Sequence, residues 1–340
     1  MARAGASNDA ARPGASGIAI ASGLSFVGAA LSLAVPFLGI PIGAGALAWL
    51  WYRRMPMLAI AVAILAGATT VIVDPVGPLY VVPWLLFAGP LSAALLKKRS
   101  IVGVLLFVTV LNAVVWIGLL TGVAALEGTS AQGFMRSISD QATKPALEQA
   151  TSSGQNVEEV TRQVEAVGDT FVRMWPAILT LAAAFTALLS VGAVATIAGR
   201  LGVEVKPAPR LEQVDISPHV VWGLIVAVAL IAGDKFSGGW NDQLLGVVGE
   251  NLLQVVRWVL FVQGVAVFAG LYKKAGFARA SRTFGYVVLG LTEVLLPLVS
   301  LTGLADVWLN IRKLPRDGHG AAGGTTDSSR SADSDSDTPH

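Results

Sequence analysis

The sequence has no cysteine among its 340 residues and only three histidines. Disulfide bonds, thiol nucleophiles and cysteine-ligated metal sites are therefore excluded. None of the histidines, His219, His319 and His340, has a second ligand at a metal-binding spacing. The chain also lacks the phosphate-binding loop G-x-x-x-x-G-K-[ST] and the hydrolase motifs H-E-x-x-H and G-x-S-x-G. We therefore expect no enzymatic activity, no metal and no cofactor, and any use of ATP would need another subunit.

Charged residues are scarce, at 14% of the chain, whereas a typical soluble domain has about 25%. Hydrophobic residues make up 54%, which is more apolar surface than one soluble core of this size can bury. Apolar runs of about 20 residues recur along the chain, as membrane-spanning helices require. The composition excludes a soluble enzyme and a disordered chain, and it predicts an all-α polytopic protein of the lipid bilayer.

The apolar runs predict a transmembrane helical bundle of about eight to nine membrane helices with one external helical insertion. A cleaved signal peptide is the rival interpretation of the first run, 17–36, but that run is long and another apolar run follows it at once. The other predicted spans, with a last apolar stretch, are 39–52, 57–73, 79–96, 101–125, 174–199, 219–233, 243–272 and 283–311.

Basic residues exceed acidic residues only slightly, 24 against 22, and they cluster at the ends of the apolar runs. Such clusters mark cytoplasmic loops, so they indicate membrane topology and not nucleic-acid binding. With eight spans, an even number of crossings separates each basic cluster from the next, so all of the clusters can lie in the cytoplasm. The N-terminus is then also in the cytoplasm. We expect a multi-pass protein of the bacterial inner membrane.

The last apolar stretch fits two geometries. A single tilted or kinked helix would place Arg312, Lys313 and Arg316 outside, whereas a hairpin of two short helices bent near Pro297 would keep them inside. The 29 residues of this stretch make about 43 Å of helix, which is long for one span and short for two. We favour the single helix and leave the side of the C-terminus open.

Composition divides the chain into five segments. The two terminal segments are small and polar, so they cannot offset the entropy of ordering. The predicted segments are a disordered N-terminus (1–16), an N-terminal membrane bundle of five spans (17–125), an external amphipathic helical insertion (126–173), C-terminal membrane spans (174–313) and a disordered tail (314–340).

The external insertion contains one helical stripe of apolar residues. They follow one another at spacings of 3, 4, 3 and 4, namely Val157, Val160, Val164, Val167 and Phe171. We expect this helix to lie on a neighbouring helix, on the membrane surface or on a second copy of the chain. The alternative is a lid over an outward-facing site.

The candidate ligand-binding residues form a polar cluster in the eighth predicted span, together with one acid of the last stretch: Glu250, Asn251, Gln254, Arg257, Gln263 and Glu293. Charges at membrane depth normally face the bundle interior and pair there. Glu250 could pair with Arg257 through Gln254, and Glu293 is a second possible partner for Arg257. The cluster is either a polar pocket for a ligand or a structural ion pair that locks two helices.

Other polar and aromatic residues in the spans favour structural roles. Asn112, with Thr109 and Trp116, marks one face of the fifth span, and we interpret it as an interhelical hydrogen bond. Aromatic residues that fall near span ends are interpreted as interface anchors, namely Trp49, Trp51, Tyr52, Trp84, Trp175, Trp222 and Trp240. Ala30 and Ala34 in the first span are four residues apart and would allow close helix packing.

Short motifs give the chain a family resemblance. They are Gly89-Pro90, Asn251 with Phe261-Val262-Gln263-Gly264-Val265-Ala266, and Gly303-Leu304-Ala305-Asp306-Val307-Trp308-Leu309-Asn310-Ile311-Arg312. In these motifs the chain resembles the YybS-like predicted membrane proteins of bacteria, a family classed by a domain of unknown function (2232). The resemblance covers about residues 17–313, apart from the insertion.

The N-terminal layout of that family is distantly similar to the substrate-binding membrane subunits of energy-coupling-factor transporters. Such subunits capture a small molecule outside the cell, and a membrane coupling subunit with two ATPases drives its release inside. The coupling subunit docks on small residues of the first helix. The resemblance therefore implies that Ala30 and Ala34 are partner-docking positions.

Two functions remain open from the sequence. The first is a small-molecule-binding, transport-subunit-like membrane protein without its own ATPase, which would associate with a coupling subunit and ATPases or with a second copy. The alternative is a non-transport scaffold that binds a partner through the insertion. An intramembrane enzyme is disfavoured, because Glu293 and Asp306 are thirteen residues apart and would lie on nearly opposite sides of a straight helix.

Overall fold

The computed structural model describes residues 14–75, 77–95, 101–154, 156–203, 210–236 and 244–314. In these ranges the regular elements are helices and no strand is assigned, which confirms the all-α prediction. The predictions of disorder for the two termini fall almost entirely on residues outside the described ranges. Trp240, one of the predicted interface anchors, also lies outside them.

The helix boundaries follow the predicted apolar runs closely. The α-helices of the described residues are α1 (Ala15–Ala34), α2 (Pro36–Tyr52), α3 (Pro56–Thr70), α4 (Val82–Leu95), α5 (Ile101–Leu126), α6 (Ala131–Ser152), α7 (Val157–Arg200), α8 (Val220–Phe236), α9 (Leu244–Lys274), α10 (Arg279–Leu295) and α11 (Leu298–Leu309). Two short 3-10 helices, Gly77–Val81 and Leu211–Gln213, precede α4 and α8.

Proline and short polar side chains begin several of these helices. Pro36 and Pro56 stand in the first turns of α2 and α3, where the missing N–H of proline would have no helical partner in any case. Ser130 and Asn156 cap α6 and α7, since their side-chain oxygens accept hydrogen bonds from the backbone N–H groups three residues ahead.

Within the described ranges, four helices are long and apolar enough to cross a membrane, namely α1, residues Gly103–Leu126 of α5, α7 and α9. The pair α10 and α11 would be a fifth if it forms one span. The other apolar helices, α2, α3 and α4, have 14 to 17 residues, which is about 21–26 Å of helix against a hydrocarbon core of about 30 Å. The structure thus supports a membrane protein, but the count of eight to nine spans is not confirmed.

The last apolar stretch consists of two helices and not one. The axes of α10 and α11 differ in direction by 101°, and the break between them falls at Leu296 and Pro297. Proline cannot continue the hydrogen-bond pattern of the preceding helix because it has no N–H and its ring clashes with the turn before it. The expectation of one continuous helix is therefore wrong. The break lies near Pro297, where the alternative placed its bend, and the number of crossings made by this pair stays a prediction.

Contacts divide the chain into two compact units. Unit 1 comprises Met1–Ala208 and Trp222–Val256, and unit 2 comprises Pro209–Val221 and Arg257–His340. Helix α9 contributes its N-terminal half to unit 1 and its C-terminal half to unit 2. The polar cluster predicted on this helix is therefore divided between the two units.

Helix α2 is the centre of unit 1. It contacts α1, α3, α4 and α7, and eleven of its 17 residues are buried. Glycine allows α1 and α2 to approach closely, because a Cβ added to Gly28 would lie 2.8 Å from the backbone nitrogen of Gly43. Trp49 and Trp84 fill the core with at most 1% of their surface exposed, so their interpretation as interface anchors is wrong.

The predicted external insertion and the predicted span that follows it share one helix. Helix α7 runs for 44 residues without interruption, so the predicted boundary at residue 173 lies inside a helix. The N-terminal part of α7 packs along α6. In its apolar stripe, Val160, Val164 and Phe171 are half-buried, while Val157 and Val167 are exposed. The expectation of a helix lying on its neighbour agrees with this packing.

We predict that Gly28→Val destabilises the folded protein by about 1–3 kcal/mol, since the new side chain would overpack the contact between α1 and α2. The matched control is Gly23→Val on the same helix, because a Cβ at Gly23 meets no heavy atom within 4 Å. Thermal unfolding of both variants in detergent, followed by circular dichroism, measures the difference. Equal melting temperatures for the two variants would contradict the packing described for Gly28.

Candidate functional site

In unit 1, Glu250 and Asn251 of α9 bind the helix α7. The carboxylate of Glu250 accepts hydrogen bonds from Nε and Nη2 of Arg173, the latter at 2.8 Å. The expected pairing of Glu250 with Arg257 is therefore replaced by a pairing with Arg173, a base that the sequence placed in the external insertion. Both side chains are partly exposed, so the contribution of the pair to stability is modest.

The Asn251 amide supports α7 at Pro176, a proline inside the helix. Its Oδ1 accepts from the backbone N–H of Ala177 at 2.9 Å, and its Nδ2 donates to the carbonyl of Arg173 at 3.0 Å. In a regular helix these two backbone groups would bond to each other, but proline disturbs the backbone at this point. Asn251 thus satisfies the backbone groups on either side of the proline.

In unit 2, Arg257 and Glu293 hold the bend between α10 and α11. Arg257 Nε donates to Glu293 Oε1 at 2.8 Å, and its Nη2 donates to the carbonyl of Glu293 at 2.6 Å. That carbonyl would accept from residue 297 in a continuous helix, but Pro297 has no N–H. The second partner proposed for Arg257 is therefore the observed one.

Glu293 also caps the start of α11. Its Oε2 accepts from the backbone N–H of Ser300 at 3.0 Å, and its Oε1 lies 2.6 Å from the Ser300 hydroxyl oxygen. Ser300 is the third residue of α11, where a backbone N–H has no partner inside the helix. A carboxylate at a helix N-terminus is also favoured by the helix dipole. Glu293 is only 3% exposed, and its hydrogen bonds serve both helices.

Gln263 belongs to a second buried polar group of unit 2. Its Nε2 donates to Asp306 at 2.8 Å and to Asp215 at 3.1 Å, while its Oε1 accepts from the backbone N–H of Ile216 at 3.1 Å. Arg312 pairs with Asp306 at 2.9 Å and donates to the carbonyls of Glu212 and Val214. Arg312 is 5% exposed, so this base, taken from the sequence as a topology marker, is an internal partner.

A surface ion pair lies beside this group. Lys273 Nζ is 2.8 Å from Glu212 Oε1, and this hydrogen bond holds the pKa of the Glu212 carboxyl below its ordinary value, which is about 4.3. Because this pKa is lower in the folded state, the pair stabilises the folded protein at pH values above the ordinary carboxyl pKa. That contribution is lost as the pH falls through the lowered pKa. The pair therefore ties the 211–213 segment to α9 at neutral pH.

The predicted ligand-binding residues therefore mostly bond within the chain. Only Gln254 makes no side-chain hydrogen bond within the described ranges, and it is half-buried. The remaining five satisfy backbone or side-chain groups of their own unit. A role for them in ligand binding stays a prediction.

Unit 1 also contains a cavity of about 230 Å³ that the predicted cluster does not line. Helix α2, the segment before α4, and helices α5 and α7 form its wall. The lining residues are Pro36, Phe37, Ile40, Tyr80, Asn112, Trp116, Leu179, Ala182, Ala183 and Thr186. The wall is almost entirely apolar and has no charged side chain.

Asn112 is the amide in this wall. Its side chain is 1% exposed, and among the described residues neither Nδ2 nor Oδ1 has a hydrogen-bond partner. The interpretation of Asn112 as an interhelical hydrogen bond is therefore wrong. Nearby Thr186 does not supply a donor, because its hydroxyl bonds to the carbonyl of Ala182 at 2.8 Å. Within the described part of the chain, the indole N–H groups of Trp49 and Trp84 are also buried without a partner, but Asn112 has both a donor and an acceptor unpaired, each at a cost of about 1–3 kcal/mol.

Ala30 and Ala34 do not take part in the packing of α1. Both are exposed, and the buried face of α1 is formed by Ala21, Ser25, Gly28, Ala29 and Ser32. Close approach of α1 to its neighbour therefore involves Gly28 instead. The role of Ala30 and Ala34 in partner docking stays a prediction.

The profile of one protein family, described as "Predicted membrane protein (DUF2232)", matches residues 19–307. The chain belongs to this family. The match confirms the resemblance seen in the short motifs, and it also extends across the external insertion. No curated protein and no solved structure matches the chain, so the likeness to transporter subunits is unconfirmed.

We predict that Asn251→Leu destabilises the protein by about 1–3 kcal/mol, because it leaves the backbone groups beside Pro176 without partners. The loss should shrink in a Pro176→Ala background, where α7 can form its regular hydrogen bonds. A double-mutant cycle of unfolding free energies in detergent measures this coupling. Gln254→Leu, which removes an amide without a hydrogen bond, is the control. An equal cost of Asn251→Leu in both backgrounds would refute the assignment.

Proposed function

We propose that the protein is a small-molecule-binding membrane protein without its own ATPase, and that its ligand occupies the cavity at Asn112. The observation that carries this proposal is the Asn112 amide, which is buried in an apolar wall with both polar atoms unpartnered among the described residues. Both polar atoms are covered in this structure, so a ligand would supply the missing hydrogen bonds after a neighbouring side chain moves aside. Binding sites for small molecules are typically apolar cavities with a few placed polar groups.

The edge of the cavity supports access for a ligand. Phe37 lines the cavity and is nevertheless 51% exposed. Its ring also contacts Phe185 edge-on, with ring centroids 6.4 Å apart. A ligand could therefore enter past an aromatic pair without disturbing the buried core around α2.

The predicted cluster on α9 is a weaker candidate for the same function. Glu250, Asn251, Arg257, Gln263 and Glu293 already have hydrogen-bond partners. A ligand at these residues would have to replace interactions that hold α7 and α11 in place. At Asn112 a ligand would replace no hydrogen bond within the described ranges, which favours the cavity.

The partner part of the proposal is a membrane coupling subunit with ATPases. It is supported by the lack of a nucleotide-binding loop in the sequence and by the exposure of Ala30 and Ala34 on α1. The alternative of a non-transport scaffold rests on the apolar stripe of the insertion. That stripe is already partly covered within the chain, so it offers less surface to a partner.

The proposed arrangement in the membrane keeps the eight to nine crossings inferred from the sequence. It requires the shorter apolar helices α2, α3 and α4 to complete the bundle beside the longer ones. Their high apolar content supports this. The proposed N-terminus is cytoplasmic and the proposed location is the bacterial inner membrane, because the basic clusters then face the cytoplasm.

We predict that Asn112→Leu removes the ligand without harming the fold. Low-mass compounds extracted from the protein purified in mild detergent are compared by mass spectrometry. We expect at least one compound to be enriched about tenfold or more over Asn112→Leu, while the ligand-free variant unfolds at an equal or higher temperature, because an apolar side chain suits the apolar wall.

Thr109→Val, one turn away on α5 and outside the cavity lining, is the matched control and should retain the compound. The proposal fails if Asn112→Leu retains as much compound as the wild type. It also fails if phospholipid is all that the wild type carries.

A second prediction concerns the partner. When the tagged protein is purified in mild detergent, we expect a membrane coupling subunit and an ATPase pair to co-purify. Ala34→Trp should reduce their recovery several-fold, since a large side chain would block close helix approach. If the chain is recovered alone, the proposed partner is wrong. Ligand binding at Asn112 is tested separately by the extraction experiment.

A further inference from the structure

The chemistry of the ligand follows from what Asn112 leaves unpaired. An asparagine side chain carries a hydrogen-bond donor on Nδ2 and an acceptor on Oδ1, side by side. Both are unpartnered among the described residues and both are covered by neighbouring atoms, so a ligand reaches them after a side chain of the wall moves. The group that pairs with both at once has its own acceptor and donor side by side in the same plane. A cis amide, as found in a cyclic amide, has this arrangement.

The remaining wall limits the charge of the ligand. The side chains that line the cavity with Asn112 include no acid and no base. A charged ligand would lose its hydration without gaining a counter-charge, which is strongly unfavourable. Water alone is also poorly suited, since a buried water typically needs two to four polar partners and most of this wall is aliphatic or aromatic. The wall therefore favours a neutral, largely apolar ligand.

The aromatic side chains favour a planar ring. Trp116 lies one helical turn after Asn112 on α5, so both project from the same face. Tyr80 packs against Trp116 with ring centroids 6.0 Å apart and planes at 45°. A planar ligand bonded to the amide of Asn112 would lie beside this aromatic pair, and aromatic contacts of that kind are favourable. The cavity of about 230 Å³ is large enough for a one-ring or two-ring compound.

We propose that the cavity binds a neutral, planar cyclic amide whose N–H and C=O pair with Oδ1 and Nδ2 of Asn112. This inference rests on the proposed function, because it names the ligand class of the same site. Asn112 sets the orientation of the ring, and the apolar wall excludes charged analogues.

The test is equilibrium dialysis of two probes against the purified protein in mild detergent. The first probe is 2-quinolone, a two-ring cyclic amide, and the second is N-methyl-2-quinolone, which keeps the ring and the carbonyl but has no N–H. We expect the wild type to bind 2-quinolone at least about tenfold more tightly, because the methylated probe leaves Oδ1 of Asn112 unpaired. Asn112→Leu should bind both probes equally, and Thr109→Val should keep the preference.

Equal binding of both probes by the wild type overturns the proposed ligand class, and so does a failure of 2-quinolone to bind. A preference that persists in Asn112→Leu overturns it as well. If the extracted compound still depends on Asn112 in any of these cases, the proposed function stands and only the ligand class is wrong. If no compound depends on Asn112 either, both proposals fail together.

Discussion

Backbone groups that lose their helical partners inside an apolar bundle must be satisfied by the chain itself, because no water or lipid headgroup is there to bond them. Two prolines create this need, Pro176 within α7 and Pro297 between α10 and α11. Polar side chains of α9 meet it in both places: the amide of Asn251 bonds the groups beside Pro176, and Arg257 bonds the carbonyl that Pro297 cannot serve. The course of α7, and the bend before α11, depend on these contacts.

The same requirement separates the candidate site from the structural polar groups. Gln263, Asp306 and Arg312 are almost fully buried, and each has several partners. Asn112 is buried to the same degree, yet both of its side-chain polar atoms lack a partner within the described ranges. It also lines a cavity, whereas the other polar groups fill contacts between elements. An amide left unpaired beside empty space fits a binding group better than a structural one.

The sequence predicted the helices well because long apolar runs and the prolines that interrupt them are local signals. It also named Glu293 as a partner for Arg257, since few charges compete in so apolar a chain. The wrong predictions concern which face of a helix is buried against other helices. Trp49 and Trp84 lie near predicted span ends but are buried, and Ala30 and Ala34 are small but exposed. The spacing of residues along the chain does not determine which face is covered, and it does not reveal that Asn112 lacks a partner among the described residues. The structural role of Asn251 could have been suspected from Pro176, because a proline inside a helix leaves backbone groups that need another partner.

Helix α7 runs without a loop from its contact with α6 to the cavity. From Val157 to Thr186 it extends about 44 Å at 1.5 Å per residue, and its later turns supply one wall of the cavity. Pro176 is the position where this helix bends most easily, and the hydrogen bonds of the Asn251 amide stabilise it there. A displacement of α6 would therefore be transmitted along α7 to Leu179 and Thr186 in the cavity wall.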